Sequence, residues 1–206
     1  MLHHDKNCSW YDIERIDGSA VSNLFLSEEL TPSSLSAIMG TLHRIHRATD
    51  YVEETQDVNI YANYSTKLRS RYEKYDYSRF PGSAEVFTQL ISDLESYESQ
   101  GRGHMSVIHG DPVMSNIMIN SFGKVKLIDM RGQLGNTLPI RGDEMYDWGK
   151  LYQSLIGYDE ILQNRNIAES YRQTLVNCFW ANLQELSPEL RPEDVKLVTR
   201  SGSWPN

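Results

Sequence analysis

The chain has 206 residues, of which 39% are hydrophobic and 23% charged, with a formal net charge of -8. That length can bury a core without disulfides or a structural metal, and that balance excludes wholesale disorder. An acidic chain without a long Lys/Arg run lacks the electrostatic footprint of a nucleic-acid binder, so nucleic acid is not expected as a partner. The two cysteines, Cys8 and Cys178, lie far apart in sequence and form neither a disulfide framework nor a metal-type spacing, which suits a reducing cytoplasm. No stretch approaches the roughly 18 consecutive apolar residues of a membrane span, and the polar residues after Met1 do not read as a signal peptide. A cytoplasmic protein without membrane association is expected.

In chain order, Ser9 to Gly18 alternates imperfectly at Trp10, Ile13 and Ile16 and ends in Asp-Gly, which predicts an extended segment closing on a turn. Thr31 can cap a helix and Pro32 suits its first position, and Leu35, Ile38, Met39, Leu42 and Ile45 then share one face. Tyr61, Tyr64, Leu68 and Tyr72 predict a second helix, with its Arg and Lys residues on the wet faces. After the break at Phe80-Pro81-Gly82, the stripe of Val86, Leu90, Ile91 and Leu94 predicts a third helix, running out near Gly101. Three short runs rich in β-formers follow, Met105 to His109, Asn116 to Asn120 and Val125 to Asp129, with Ser121 to Lys124 as a turn. They predict a small β unit with a hairpin. Helical spacing resumes at Met145, Trp148, Leu151, Tyr152 and Leu155, and again from Ile161 through Tyr171, Leu175, Phe179 and Leu183. Pro188 and Pro192 interrupt a short terminal segment, and Gly202 to Asn206 read as a frayed end.

The chemistry sits in the β unit. Asp111 and Asn116 bracket one short loop and Asp129 closes the neighbouring strand, so a hairpin can bring two acids and an amide together at rigid strand ends. Phosphoryl transfer needs a carboxylate near the acceptor hydroxyl, oxygen ligands for Mg²⁺, and positioned phosphates. One carboxylate and one amide oxygen suffice on the protein side, because Mg²⁺ keeps waters and takes phosphate oxygens as well.

The spaced pattern His109-Gly110-Asp111-x4-Asn116, followed by Ile128-Asp129, resembles the catalytic loop and metal-binding aspartate of the aminoglycoside phosphotransferase and choline kinase superfamily. The resemblance implies a protein-kinase-like α+β fold: a mainly helical C-lobe with a catalytic β hairpin, and an N-lobe largely absent. Residues 1–20 would be the strand and hinge remnant of that N-lobe and residues 21–206 the C-lobe. It implies ATP and Mg²⁺ as cofactors, Asp111 as catalytic base, Asn116 and Asp129 as metal ligands, and His109 as a brace for the loop. Asp147 matches the helix-borne aspartate that hydrogen-bonds the loop backbone. The segment Leu42-His-Arg-Ile-His46 is similar to the Leu-x-x-Leu-His segment of the superfamily.

Three departures from the protein-kinase pattern stand in the sequence. Gly110 stands where protein kinases carry arginine, which points to a small-molecule acceptor, and Met130-Arg131-Gly132 follows the metal aspartate where they carry Phe-Gly. Arg131 is a candidate phosphate or acceptor contact. If Tyr11 to Gly18 is the hinge, neither a glycine-rich loop nor a strand lysine is visible ahead of it, and Lys6 is no secure substitute.

The implied activity is ATP-dependent phosphorylation of a hydroxyl on a sugar, choline or ethanolamine, or an aminoglycoside. The alternative is a truncated or degenerate kinase that binds without turnover, or one part of a split enzyme whose partner chain supplies the N-lobe. An aromatic cage from Tyr146, Trp148, Tyr152 and Trp180 is weighed against ordinary core packing, and His43 with His46 against a metal pair lacking a third ligand. Packing is favoured for both.

Overall fold

The computed structural model describes residues 3–4, 11–12, 14–48, 58–131 and 140–202. Cys8, Lys6, Trp10, Ile13 and Gly132 lie outside these, as do residues 203–206.

Two short strands, β1 (His3–His4) and β2 (Tyr11–Asp12), pair antiparallel. A third, β3 (Ser19–Ala20), leads directly into helix α1 (Val21–Leu26), whose Val21 and Phe25 are fully buried. Helix α2 (Pro32–His46) starts as its sequence predicts: Thr31 Oγ1 accepts the Ser34 N–H at 3.1 Å and Pro32 occupies the first turn, where its missing N–H is no loss. Leu35, Ile38, Met39 and Leu42 form its buried stripe, and it packs on α7 (Glu169–Leu186).

Helix α3 (Ser65–Lys74) begins later than the tyrosine spacing predicts. Tyr61 and Tyr64 belong to the turn before it, held by ring contacts with Tyr97 and by the Gly103 N–H, which donates to Tyr61 Oη at 3.0 Å. Tertiary ring packing there mimics helical periodicity. Helix α4 (Ser83–Ser99) buries Leu90, Ile91, Leu94 and Tyr97, whereas Val86 is 57% exposed and its expected place is taken by Phe87, stacked on Tyr72. Gly101, at φ +62°, closes this helix while the Arg102 N–H donates to the Tyr97 carbonyl at 3.1 Å, a left-handed glycine cap.

The β region is two sheets rather than one unit. Strand β5 (Ile117–Ile119) pairs with β6 (Val125–Leu127) as the expected hairpin, and β3 adds to the other edge of β5. Asn120 Oδ1 accepts the N–H groups of Phe122 and Lys124 across the turn, and Gly123 supplies the positive φ. Strand β4 (Met105–Val107) pairs instead with β7 (Arg141–Asp143), a strand that three residues do not announce in the sequence.

Helix α5 (Glu144–Gly157) is capped by Asp143 and is the most buried helix segment in sequence terms, with Met145, Trp148, Leu151 and Leu155 inaccessible. The four-residue α6 (Asp159–Leu162) follows; Ile161 is 72% exposed and does not continue into the stripe of α7, which is Tyr171, Leu175, Phe179 and Leu183. The terminal segment is not interrupted by Pro192 but started by it: α8 (Pro192–Gly202) buries Val195, Leu197 and Val198 against α5. No helix among the described residues is long and apolar enough to cross a membrane. Cys178 is a free thiol.

Candidate active site

The loop between β4 and β5 is tied down by one buried carboxylate. Asp147, inaccessible on α5, accepts the Gly110 N–H on Oδ1 at 2.7 Å and the His109 N–H on Oδ2 at 2.8 Å. The same Oδ2 lies 3.0 Å from His46 Nε2 at the end of α2. Deep burial is tolerable for this acid because each oxygen has a donor. His46, whose ring is edge-on to Trp148, is thereby a packed residue and not half of a metal pair with His43.

From Asp147 the network reaches the hairpin. His109 Nε2 lies 2.9 Å from the Ile128 carbonyl and the Asp111 N–H donates to His109 Nδ1 at 3.3 Å, so the neutral Nε2–H tautomer satisfies both ends. The Arg131 N–H donates to the His109 carbonyl, and the Ile128 N–H to the Asn116 carbonyl, at 2.9 and 3.0 Å. These bonds bracket Asp129, which is exposed and held at φ +56°. A left-handed non-glycine residue costs ~1 kcal/mol or more, and it persists where its surroundings fix it on both sides.

The hairpin register, with Ile117 opposite Leu127, sets Asn116 across from Ile128 and so beside Asp129. Asn116 Nδ2 donates to the Asp111 carbonyl at 3.0 Å, which leaves its Oδ1 without a hydrogen-bond partner among the described residues. Asp111, Asn116 and Asp129 are therefore gathered at one end of the hairpin. The donor set, an exposed carboxylate and an unpartnered amide oxygen, fits a Mg²⁺ that completes its shell with water and phosphate. Among the described residues no cluster of three or more His, Cys, Asp or Glu forms an all-protein metal cage.

Sequence reasoning named Arg131 beside this loop but missed Lys150 and Lys67. Lys150 Nζ lies 3.2 Å from Asp111 Oδ1; burial pulls its ammonium down, but Tyr146 and Asp111 outweigh that and hold it above the ordinary lysine value. Its signal was legible, since Lys150 stands one helical turn after Asp147 and so shares its face. Lys67 on α3 is not on a wet face: burial, then the charges of Arg71, Lys150 and Arg131, push its ammonium down to about 8, with Asp111 opposing. The wet-face expectation holds for Arg69 and Lys74. Arg131 lies with its guanidinium 5.1 Å from the centre of the Tyr146 ring, and its packing explains Gly110: at φ +83°, an added Cβ would come within 2.7 Å of Arg131 Cβ.

No protein-family model and no curated protein matches the sequence. Solved structures do match. Aminoglycoside phosphotransferase APH(3'')-Id from Streptomyces rimosus ATCC10970, in complex with ADP and streptomycin, superposes with a TM-score of 0.57 at 17% identity, over 92% of this chain and 68% of that one. The chain has the fold of the aminoglycoside phosphotransferases. An aminoglycoside-3'-phosphotransferase of type VIII gives 0.52 at 15% identity, over 90% of this chain and 65% of that one. A choline/ethanolamine kinase family protein from Mesorhizobium loti gives 0.50 at 14%, over 97% and 69%. The chain thus spans about two thirds of the length of these kinase-like structures, with the α+β architecture and mainly helical C-lobe that the resemblance implied.

Proposed function

We propose that the chain carries the catalytic half of a small-molecule kinase, with residues 1–20 as strand and hinge and 21–206 as the C-lobe. The observation that carries this reading is the loop from His109 to Asn116, fixed to Asp147 at one end and to the hairpin at the other, which puts Asp111 and Asn116 at the end of the hairpin where Asp129 follows its second strand. In this reading Asp111 receives the proton of the acceptor hydroxyl, a role worth ~10²–10⁴-fold in rate. Lys150 fixes the rotamer of that carboxylate through its ion pair. Asn116 Oδ1 and the Asp129 carboxylate would hold Mg²⁺, with Asp129 fixed in a left-handed backbone at φ +56°. When bound, a magnesium–nucleotide would supply the γ-phosphoryl group to the acceptor oxygen whose proton Asp111 takes, with the nucleoside diphosphate as leaving group.

His109 and Asp147 touch no reacting atom. Their work is positioning, which matters because phosphoryl transfer draws most of its acceleration from alignment and electrostatics. Calorimetric titration of Mg·ATP into the wild type and Asp129→Ala tests the reading. Binding that weakens at least tenfold and only in the presence of Mg²⁺ supports it, since a charged ligand contact is worth ~1.5–3 kcal/mol; identical metal-dependent affinity removes Asp129 from the site. Retained Mg·ATP binding with no transfer to any acceptor would favour a binding module over an enzyme.

A further inference from the structure

The charge around Asp111 is opposite in sign to that of the chain. Lys150 on α5 lies 3.2 Å from Asp111, Arg131 after the hairpin packs against the neighbouring Gly110, and Lys67, one turn before Arg71 on α3, feels the charges of Arg71, Lys150, Arg131 and Asp111. The charge of Asp111 opposes the downward push of burial on the Lys67 ammonium, and the phenols of Tyr146 and Tyr158 face Lys150 along with Asp111. Lys67 and Arg71 are half-buried and make no ion pair among the described residues, and Arg131 Nη1 is buried without a hydrogen-bond partner among them. On the same helix as Lys67, Arg69 is paired with Glu95. Half-buried cations kept without counter-charge disfavour folding, and such uncompensated groups concentrate where a ligand completes them.

The surroundings also oppose a cationic acceptor. The Tyr146 ring already faces Arg131 and Lys150, at 5.1 and 5.7 Å from its centre, and Trp148 is wholly buried in the core. No aromatic face at these positions is left for a quaternary ammonium. We infer that the surface beside Asp111 takes a hydroxyl-bearing metabolite that also carries an anionic group, a phosphate monoester or a carboxylate, in preference to an amino sugar or a choline-type cation. The inference rests on the kinase reading for the word acceptor, and on the cation cluster alone for the anion.

Titration calorimetry on the 206-residue chain without nucleotide separates the two. The probes are a hexose 6-phosphate, a hexuronic acid, the unsubstituted hexose and a 2-amino hexose, each added to the wild type and to the double variant Lys67→Gln/Arg71→Gln, with thermal melts to show that the variant folds. One or both anionic sugars should bind at least tenfold more tightly than the neutral and cationic ones, and the variant should lose tenfold or more of that preference, as expected for a charge-assisted contact of ~1.5–3 kcal/mol. Which anionic sugar wins distinguishes phosphate from carboxylate. Mg·ATP added to the complex should bind alongside the sugar with an affinity that the variant leaves within twofold. Equal or tighter binding of the neutral or amino hexose, no binding of either anion, or competition between Mg·ATP and the sugar phosphate with both weakened by the variant, would overturn the inference, the last by assigning the cations to the donor phosphates. Anion binding with no Mg·ATP binding would leave the anion site standing and remove the kinase reading instead.

Discussion

Replacing Asp147 by Asn is the most informative single change in the protein, because it alters one atom at the point where α2, α5 and the loop meet. The carboxylate accepts three hydrogen bonds, from Gly110 N on one oxygen and from His109 N and His46 Nε2 on the other. An amide has one acceptor oxygen and one donor nitrogen. With its nitrogen toward His109, the two N–H groups oppose each other; His46 can stay bonded only by moving its proton to Nδ1, which is buried and unpartnered. With the nitrogen toward Gly110, that loop N–H is orphaned instead. Either orientation strands one buried backbone donor, at ~1–3 kcal/mol, and the lost charge adds to it. At ~2–4 °C per kcal/mol for a chain of this size, Tm should fall by about 4–10 °C. Amide hydrogen exchange reads the mechanism directly: protection at His109 and Gly110 should drop well beyond the global loss of stability. Unchanged protection at these two amides would refute the reasoning even if the protein were destabilised.

Gly110→Ala should cost ~2–4 kcal/mol, from a left-handed alanine and an overlap with Arg131 Cβ that no flexible side-chain end can relieve, read as a denaturant midpoint shift at unchanged slope. Lys67→Met should stabilise the fold. Its folded ammonium sits at about 8 against 10.5 unperturbed, so the unfolded chain holds the proton more tightly; the penalty is complete below about pH 8 and disappears as pH rises past 10.5. At ~1.4 kcal/mol per pH unit the ceiling is ~3 kcal/mol, and screening of a partly exposed side chain reduces the expected gain to ~1 kcal/mol. Melts at pH 7 and pH 10.5 check both size and sign, and a variant equally stable with wild type at pH 7 contradicts the buried-cation argument. Asp143→Ala leaves four donors facing a void, the hydroxyls of Tyr64 and Tyr97 and the N–H groups of His104 and Met145, and should cost more than ~3 kcal/mol, measurable by urea unfolding.

What the sequence disclosed, and what it hid, follows from the range of the interactions. Thr31-Pro32 writes the start of α2 because capping is local, and the loop from His109 to Asn116 is legible because its spacing is chemically specific. Strand β3 is two residues long and exists by pairing with β5 a hundred positions later; β4 likewise meets β7 across the whole hairpin. Neither carries a local signal. Tyr61 and Tyr64 counterfeit a helix because ring clustering can reproduce a helical interval, and Pro192 looks like a break because the same property that ends helices also starts them. Lys67 and Arg71 were assigned to solvent since a charge at helical spacing usually is solvated; their burial depends on where the Asp111 loop and α5 lie in space.

The measurement closest to the central claim is transfer of the γ-phosphoryl group from labelled ATP to small hydroxyl acceptors, with wild type beside Asp111→Asn. It is run on the chain alone and on a fusion that adds a glycine-rich loop and a strand lysine ahead of these residues. The account predicts Mg²⁺-dependent transfer in the fusion, lowered ~10²–10⁴-fold by Asp111→Asn while Mg·ATP affinity holds. A fusion that binds Mg·ATP and transfers nothing, or transfers as fast with Asp111→Asn, would contradict it.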